Sequence, residues 1–322
     1  MTKHRFVVQA VLAALIALCA GQAHTQTYPS KPIKIVVPYP PGGASDITTR
    51  IFAAGVSDVL GQPIIVENKV GGGTNIAAES VARSAPDGYT LYMSNFASHA
   101  VNRHLFKSLP FDPVKDFTHV AMMVRGVMLL CVKPDSPFKT AADIAEFGRK
   151  NPGKLTYGST GNGSPNHISG EQLKALGQFD ALHVPYRGAS ELNSDLMAGQ
   201  IDFGFDASVI AHHRSGKLRC LGTSTAEGWP LAPDLPPIAA SIPGYNLVSF
   251  FGIVGPAKMP ADIVQKMNDA FVTVAKKPET AEKLNVTGVQ PFPASLAETT
   301  QFMLDVDQRW GALVKASGAK ID

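Results

Sequence analysis

The chain has 322 residues, of which 45% are hydrophobic and 17% are charged, and its formal net charge is +3. This composition is typical of a globular protein with a sizeable core, and the length favours two lobes over a single core. Without the basic residues of the N-terminal leader the net charge falls to about +1, which argues against a nucleic-acid partner and against a basic membrane-binding face.

The N-terminus has the pattern of an export signal. Lys3 and Arg5 precede an apolar run over residues 6–20, and small residues follow it. This pattern predicts a secretory signal peptide over residues 1–23, so that the exported, soluble protein begins near His24. The apolar run is shorter than the roughly 20 residues that a membrane-spanning helix needs.

Two cysteines, Cys131 and Cys220, remain beyond the predicted leader. They could pair in an oxidising compartment, but two cysteines do not define a disulfide framework. The interpretation favoured from the sequence is a pair of free, buried thiols.

Strands and helices alternate from the start of the predicted mature chain. A strand over residues 34–37 leads through a Pro- and Gly-rich turn into a helix over 44–60. A strand over 64–67 leads through three glycines into a helix that begins at Thr74 or Asn75 and ends near residue 84. After a turn, a third strand spans residues 89–93.

The remaining chain continues the same alternation. The predicted strands span residues 127–132, 155–157, 183–186, 201–205, 218–224 and 247–254, and the predicted helices span 141–150, 166–176, 189–198, 261–276 and 296–316. A Pro-rich link lies between residues 230 and 237.

This alternation predicts two α/β lobes, each with a parallel sheet and helices on its faces. Crossings near Arg125 and Tyr245 would assign residues 24–125 and 245–322 to lobe 1, and residues 126–244 to lobe 2 with its return link. In such open sheets a ligand binds beyond the carboxyl ends of the strands. The expected site is therefore a cleft between the lobes.

Three glycine-containing loops lead into predicted helices. Residues 42–45, 71–75 and 158–164 each place exposed backbone N–H groups and the positive end of a helix dipole at one point, which favours an anion. The alternative is that the glycines only make tight turns; the recurrence of the pattern in both lobes favours anion sites. A dinucleotide site is disfavoured because Ile76 stands where the G-x-G-x-x-G pattern needs its last glycine.

Further candidates follow strands in both lobes. Arg187 could hold a second carboxylate, although a loop arginine is more often solvated; Asp206 could accept from a ligand or could cap the next helix. Phe96 and His99 are candidates for a second recognition zone, in which His99 could hold a distal carboxylate. The predicted ligand-binding residues are Tyr39, Gly43, Ala44, Ser45, Gly73, Thr74, Asn75, Ser94, Asn95, Ser159, Thr160, Gly163, Ser164, His167, Tyr186, Arg187, Gly188, Asp206 and Phe250.

Ser164 and His167 raise the alternative of an exported hydrolase or lyase. The sequence has no G-x-S-x-G nucleophile elbow around Ser164, so neutral hydrogen bonding to a ligand is the favoured role of His167, with capping or packing of its own helix left open. The adjacent His212 and His213 make a poor metal site, and no spacing of Cys, His, Asp and Glu predicts a metal or another cofactor.

Several motifs, in order along the chain, together resemble one family. They are YPSKPI at residues 28–33, VPYPPGGASD at 37–46, VENK at 66–69, PDGYTL at 86–91, FDP at 111–113, VPYRG at 184–188 and GKLR at 216–219. On these motifs the chain resembles the Bug/TctC family, the periplasmic solute receptors of tripartite tricarboxylate transporters. Phe250 stands where the family often has tryptophan.

The resemblance implies a two-lobed periplasmic-binding-protein fold of the Venus flytrap type, which closes on a small carboxylate held by backbone N–H groups, hydroxyls and water. It implies a non-enzymatic periplasmic receptor, monomeric and without a cofactor, whose partners are the membrane components of a tripartite transporter. Three aromatic candidates, Phe96, Tyr186 and Phe250, make an aromatic mono- or dicarboxylate the first expectation for the ligand, with aliphatic di- or tricarboxylates and acidic amino acids behind it. A sensory partner of a membrane kinase remains an alternative role.

Overall fold

The computed structural model describes residues 28–317, so the predicted signal peptide lies outside the described residues. The described strands are β1 (Ile33–Val37), β2 (Ile64–Asn68), β3 (Thr90–Asn95), β4 (Phe117–Gly126), β5 (Leu129–Val132), β6 (Thr156–Ser159), β7 (Leu182–Pro185), β8 (Phe203–Asp206), β9 (Arg219–Thr223), β10 (Ser249–Pro256) and β11 (Val289–Pro291).

The helices flank these strands. They are α1 (Ala44–Leu60), α2 (Asn75–Ala82), α3 (Asn102–Leu105), α4 (Ala141–Lys150), α5 (Pro165–Gly177), α6 (Ala189–Ala198), α7 (Ile210–Arg214), α8 (Ala261–Ala275), α9 (Pro278–Leu284) and α10 (Leu296–Ser317). A π-helical turn, Ala97–Val101, precedes α3. Within residues 28–317 no helix is both long and apolar enough to cross a membrane.

Lobe 1 is built around a six-stranded sheet with the order β11-β4-β10-β3-β1-β2. Strand β1 pairs parallel with β2 and β3, as the strand–loop–helix units predict. Strand β10 returns to this sheet and pairs antiparallel with β3 and β4. The sheet is therefore mixed, and the prediction of a wholly parallel sheet was wrong, because β10 enters between β3 and β4 after the chain has passed through lobe 2 and runs antiparallel to both.

Lobe 2 is built around a five-stranded sheet with the order β7-β6-β8-β5-β9. Here β6 is parallel to β7 and β8, whereas β5 is antiparallel to β8 and β9. In the β5–β9 pair Cys131 lies opposite Cys220, and the two form a disulfide with a Cα–Cα distance of 3.9 Å. The prediction of free thiols was wrong, because the register that places the two cysteines side by side is a property of the folded sheet.

The chain passes between the sheets twice, and Ser224 joins the two passages. Its Oγ accepts a hydrogen bond from the N–H of Met128 (2.9 Å) and donates one to the carbonyl of Leu247 (2.7 Å). Its own carbonyl accepts from the N–H of Leu247 at 2.7 Å. The strands change sheet after Gly126 and again before Ser249; the exact lobe boundaries drawn from the sequence stay a prediction.

The hydrophobic core is continuous from lobe 2 into lobe 1. The cluster around Tyr157 and Phe203 in lobe 2 extends to Phe96 and Trp310, both 2% exposed. The Phe96 and Trp310 rings meet edge to face, with centroids 5.1 Å apart. Helix α10, which carries Trp310, thus packs where the lobes meet, and the two-lobed α/β fold expected from the sequence is confirmed.

Candidate functional site

The first lobe-1 loop leads from β1 into α1. The residue that caps α1 is Gly43, and no side chain caps this helix, so its first-turn N–H groups are open to an anion. Asp46 instead accepts from the N–H of Gly42 (2.9 Å), from Arg50 Nε (3.0 Å) and from Asn68 Nδ2 (2.8 Å). Burial acts to raise the pKa of Asp46, but these hydrogen bonds outweigh it and hold the pKa below its usual value. The carboxylate therefore shapes the loop.

The predicted residues of this loop differ in their exposure. Ala44 and Gly43 are exposed, Ser45 is buried, and Tyr39 is half-buried with its carbonyl bonded to Asn68 Nδ2 at 3.0 Å. The pKa of Tyr39 is raised to about 12 by burial, so its hydroxyl is a neutral donor. The loop presents N–H and O–H groups and no free carboxylate.

The second lobe-1 loop has an unusual backbone. Gly71, Gly72, Gly73 and Thr74 all have positive φ, of 124°, 56°, 60° and 83°. Glycine adopts such angles freely, but a β-branched residue does so at a cost of roughly 1–2 kcal/mol. Thr74 therefore needs support from its neighbours. No side chain caps α2, whose first residue is Asn75, so this helix end is also open to an anion.

Asn102 supplies this support. Its Nδ2 donates to the carbonyl of Gly73 (2.8 Å) and to Asn75 Oδ1 (2.8 Å), and it lies 3.4 Å from Thr74 Oγ1. Asn102 is 3% exposed and starts α3, 27 residues after Asn75. Asn102 is not among the residues predicted from the sequence, because no local pattern marks it.

Behind this loop lies a buried polar network that follows β3. Asn95 Oδ1 accepts from the N–H of Ser98 at 3.1 Å, and Ser98 Oγ lies 2.9 Å from His99 Nδ1. His99 is 2% exposed, and burial together with nearby His119 lowers its pKa to about 3. A buried, neutral ring has no charge for a distal carboxylate. Ser94 is also fully buried, with its Oγ directed at β10.

The lobe-2 loop (residues 159–164) leads from β6 into α5. Ser164 Oγ caps α5 by accepting from the backbone N–H of His167 at 3.2 Å, and His167 Nδ1 accepts from the N–H of Gly163 at 3.0 Å. Thr160 Oγ1 donates to Asn166 Oδ1 at 2.8 Å. Ser164 and His167 are thus a capping pair, and their geometry is not that of a nucleophile and its base.

A second histidine, absent from the predicted residues, completes this loop. His183 Nε2 lies 2.6 Å from Ser159 Oγ, which also accepts from the N–H of Gly161 at 3.1 Å. The His183 ring stacks on His167, with centroids 4.2 Å apart. His183 falls within a predicted strand, and only the parallel pairing of β6 and β7 brings it beside Ser159.

Three other predicted lobe-2 residues have protein partners. The Tyr186 hydroxyl donates to Asp195 Oδ2 on α6 at 2.9 Å. Asp206 accepts from the N–H of Ser208 (2.9 Å) and from Asn193 Nδ2 (2.7 Å). The alternative that Asp206 caps the next helix was wrong, because α7 begins after Val209 and has no side-chain cap. Arg187 is exposed.

The remaining predicted aromatic residue, Phe250, is a core side chain. It is 2% exposed, and its ring lies 5.3 Å from that of Phe302. Phe96 is equally buried against Trp310. In this structure neither ring presents a face to a cleft. Gly188, the residue before α6, has no side-chain cap and leaves a further helix end open.

The loops of the two lobes meet at one segment. A Cβ on Gly163 would lie 2.5 Å from Leu105 Cδ1 and 3.6 Å from Val101 Cγ1, so lobe 2 packs closely against lobe 1 here. A Cβ on Gly73 would lie 3.2 Å from Phe106, one residue further along. The segment that carries Asn102 therefore touches the Gly-rich loop on one side and the lobe-2 loop on the other. Among the described residues no cluster of His, Cys, Asp and Glu could hold a metal ion.

Comparison with known proteins gives a consistent result. The model of the family described as "Tripartite tricarboxylate transporter family receptor" matches residues 48–319. A Cupriavidus necator protein of the UPF0065 group is 32% identical over 99% of this chain and 98% of its own length. Protein BugT of Bordetella pertussis is 29% identical over 97% of this chain and 98% of its own.

Solved structures agree with the sequence relatives. The R. palustris protein Rpa4515 with adipate is 31% identical, has a TM-score of 0.79, and aligns over 91% of this chain and all of its own. MatC from Rhodopseudomonas palustris with bound malate is 29% identical, has a TM-score of 0.75, and aligns over 89% of this chain and all of its own. With the family model matching most of its length, this chain belongs to the tripartite tricarboxylate transporter receptor family.

Proposed function

We propose that this protein is a periplasmic receptor that binds an aliphatic dicarboxylate between its lobes and delivers it to the membrane components of a tripartite transporter. The observation that carries the proposal is that the uncapped end of α2, through Gly73, and the hydroxyl-bearing lobe-2 loop, through Gly163, both contact one segment, residues 101–106. Such groups stabilise a carboxylate without a buried cation.

We prefer an aliphatic acid over the aromatic acid expected from the sequence. Phe96 and Phe250 are both 2% exposed in the core, which removes two of the three rings on which the aromatic expectation rested. The adipate and malate in the two R. palustris relatives are aliphatic dicarboxylates. Tyr39 and Tyr186 remain as partly exposed rings at the loops.

Neutral donors are sufficient for capture. A hydrogen bond to a charged group contributes roughly 1.5–3 kcal/mol, and micromolar affinity corresponds to about 8 kcal/mol. Several donors at each end of a dicarboxylate reach this value after the losses of association. Arg50 is not needed for it, because its guanidinium is bonded to Asp46 and Asn68.

Isothermal titration calorimetry tests the proposal with the mature protein and a panel of adipate, malate, citrate and terephthalate. We expect micromolar binding of at least one aliphatic dicarboxylate and weaker binding of terephthalate. Preference for terephthalate would overturn the ligand class, and absence of binding to every acid would overturn the receptor function.

Two glycines form a matched pair that locates the site. Gly163 and Gly153 have nearly equal φ, of 76° and 72°, so alanine strains both backbones alike. Only at Gly163 does the new Cβ meet the other lobe, at Leu105 Cδ1; at Gly153 it meets nothing within 4 Å. Gly163→Ala should therefore weaken adipate or malate binding at least tenfold, while Gly153→Ala leaves it unchanged. Equal effects would place the ligand elsewhere.

Delivery is tested by uptake. A strain that lacks the gene should lose accumulation of the radiolabelled acid, and wild-type protein should restore it. Restoration by Gly163→Ala at low substrate would contradict the proposal. If uptake is unaffected but the protein co-purifies with a membrane kinase, the sensory role is correct instead.

A further inference from the structure

Two histidines of lobe 2 hold the backbone of the ligand loop from two points. His167, in the first turn of α5, accepts the N–H of Gly163 directly at its Nδ1 (3.0 Å). His183, on β7, lies 2.6 Å from Ser159 Oγ, and that oxygen accepts the N–H of Gly161 (3.1 Å). Both amides belong to glycines with positive φ, which is 109° at Gly161 and 76° at Gly163, so the loop conformation depends on these bonds.

The two rings also support each other. Their centroids are 4.2 Å apart and their planes are tilted by 23°, so each ring covers one face of the other. Tyr157 stacks on His183 with centroids 5.0 Å apart. The loop is thus connected through two imidazoles to the buried tyrosine that packs on Phe203 in the lobe-2 core.

This arrangement requires neutral imidazoles. A protonated Nδ1 on His167 could not accept from Gly163, and two imidazolium rings in contact would repel each other. The charged groups that face the pair are Glu171, which accepts from Tyr157 at 2.6 Å, and Lys174, which donates to Glu171 at 2.9 Å. These two charges largely offset one another. Burial, and to a smaller extent repulsion from His167, lowers the pKa of His183 to about 4. Burial also lowers the pKa of His167.

We propose that His167 and His183 are positioning residues, which as a neutral stacked pair hold the Gly161 and Gly163 amides in the ligand-binding conformation and release the loop when protonated. The inference rests on the proposed role of the lobe-2 loop in binding a dicarboxylate. Neither histidine needs to touch the ligand.

The direction of the pH effect follows from the lowered pKa values. In a released loop the imidazoles titrate near 6.5, whereas in the held loop they titrate lower, so release takes up protons. The held loop is fully stable above about pH 6.5 and becomes progressively less stable as the pH falls towards 4. Ligand affinity should follow the same curve.

Paired substitutions at His167 and His183 can show whether the ring nitrogens hold the loop or the rings only fill space. An asparagine amide reaches the place of Nδ1, and a glutamine amide reaches the place of Nε2. His167→Asn therefore keeps an acceptor for Gly163, while His167→Gln does not. At position 183 the order is reversed, and His183→Gln keeps a partner for Ser159 while His183→Asn does not.

Amide hydrogen exchange of the ligand-free protein, read by NMR, is the first measurement. We expect the Gly163 amide to exchange at least tenfold faster in His167→Gln but not in His167→Asn, and the Gly161 amide to do so in His183→Asn but not in His183→Gln. This readout needs no ligand, so it decides the proposal even if the receptor function fails. Unchanged exchange in all four variants would overturn it.

Calorimetry with adipate and malate between pH 7.5 and 4.5 is the second measurement. Because the two acids themselves take up protons over this range, affinity is expressed for the dianion present at each pH. On this basis wild-type affinity should fall about tenfold, and in the double variant His167→Asn/His183→Gln, which has no imidazole at either position, it should fall less than threefold. At pH 7.5 His167→Gln should bind at least tenfold more weakly than His167→Asn, with thermal unfolding confirming that both are folded. A wild-type profile as flat as that of the double variant, or equal affinities of the two His167 variants, would show that the rings only fill space.

Discussion

Asn102 provides the sharpest test of the lobe-1 site. Its amide donates to the Gly73 carbonyl and to Asn75 Oδ1, each at 2.8 Å, and it is 3% exposed. Alanine at position 102 would remove both bonds, at about 0.5–1.5 kcal/mol each, and would leave Thr74 in its positive-φ conformation without support. We expect a loss of about 1–3 kcal/mol in unfolding free energy. If the binding conformation of the loop loses the same amount, the dissociation constant for adipate or malate should rise about five- to hundred-fold, because about 1.4 kcal/mol is a factor of ten.

Asn102→Asp discriminates the mechanism from a loss of volume. The two side chains have nearly the same shape, but aspartate would direct an acceptor oxygen at two acceptors and would add negative charge beside an anion site. It should therefore bind more weakly than the alanine variant in calorimetry. Asn151→Ala is the control, since Asn151 Nδ2 also donates to a backbone carbonyl, that of Phe147, but lies at the end of α4. If Asn102→Asp binds as well as wild type, the amide does not support the loop.

Three further predictions concern stability. Because burial lowers the pKa of His99 to about 3 against about 6.5 in the unfolded chain, the unfolded state binds the extra proton below pH 6.5, and lowering the pH from 7.5 to 4.5 should cost about 2–3 kcal/mol at this site; urea unfolding of His99→Phe should show a correspondingly smaller loss, and equal losses would contradict the assignment. The Cys131–Cys220 bridge spans 89 residues, so replacing both cysteines by alanine should lower the unfolding free energy by about 2–5 kcal/mol under non-reducing conditions. Adding a reductant should destabilise the wild-type protein by a similar amount and leave the variant unchanged. Ser224→Ala should cost about 1–3 kcal/mol in urea unfolding, because it leaves the buried N–H of Met128 without an acceptor, whereas Ser215→Ala on the surface should be silent.

The sequence predicted local elements well where glycine and proline mark their ends. Helix α1 spans Ala44–Leu60, as predicted, because Gly43 and Gly61 flank it. The predicted strand 127–132 begins later, at Leu129, because the chain changes sheet at Val127 and Met128. A change of sheet leaves no periodicity in the sequence, since both sides of the crossing are equally buried.

The sequence predicted the glycine-rich loops of the candidate site but not the side chains that support them, and which of these residues bind a ligand stays a prediction. Glycine-rich loops are visible in the sequence because their conformations require glycine. The supporting side chains, Asn102 and His183, lie 27 residues from Asn75 and 24 residues from Ser159, so no local pattern connects them to the loops. Asp206 and Tyr186 are polar residues after strands, and the sequence could not show that neighbouring helix α6 supplies their partners.

The neutrality of the candidate site has a consequence for how such a receptor distinguishes ligands. Backbone N–H groups and hydroxyls can donate to the carboxylate groups of many different dicarboxylates. These donors alone therefore distinguish poorly between one dicarboxylate and another. The separation of the two sets of donors then decides which chain length fits. At the proposed site that separation would depend on how closely lobe 2 approaches lobe 1, and Gly163 packs closely against Leu105 and Val101 there. The apolar side chains of the segment between the loops, which cannot bind a carboxylate, would therefore contribute to selectivity by setting the distance between the groups that do.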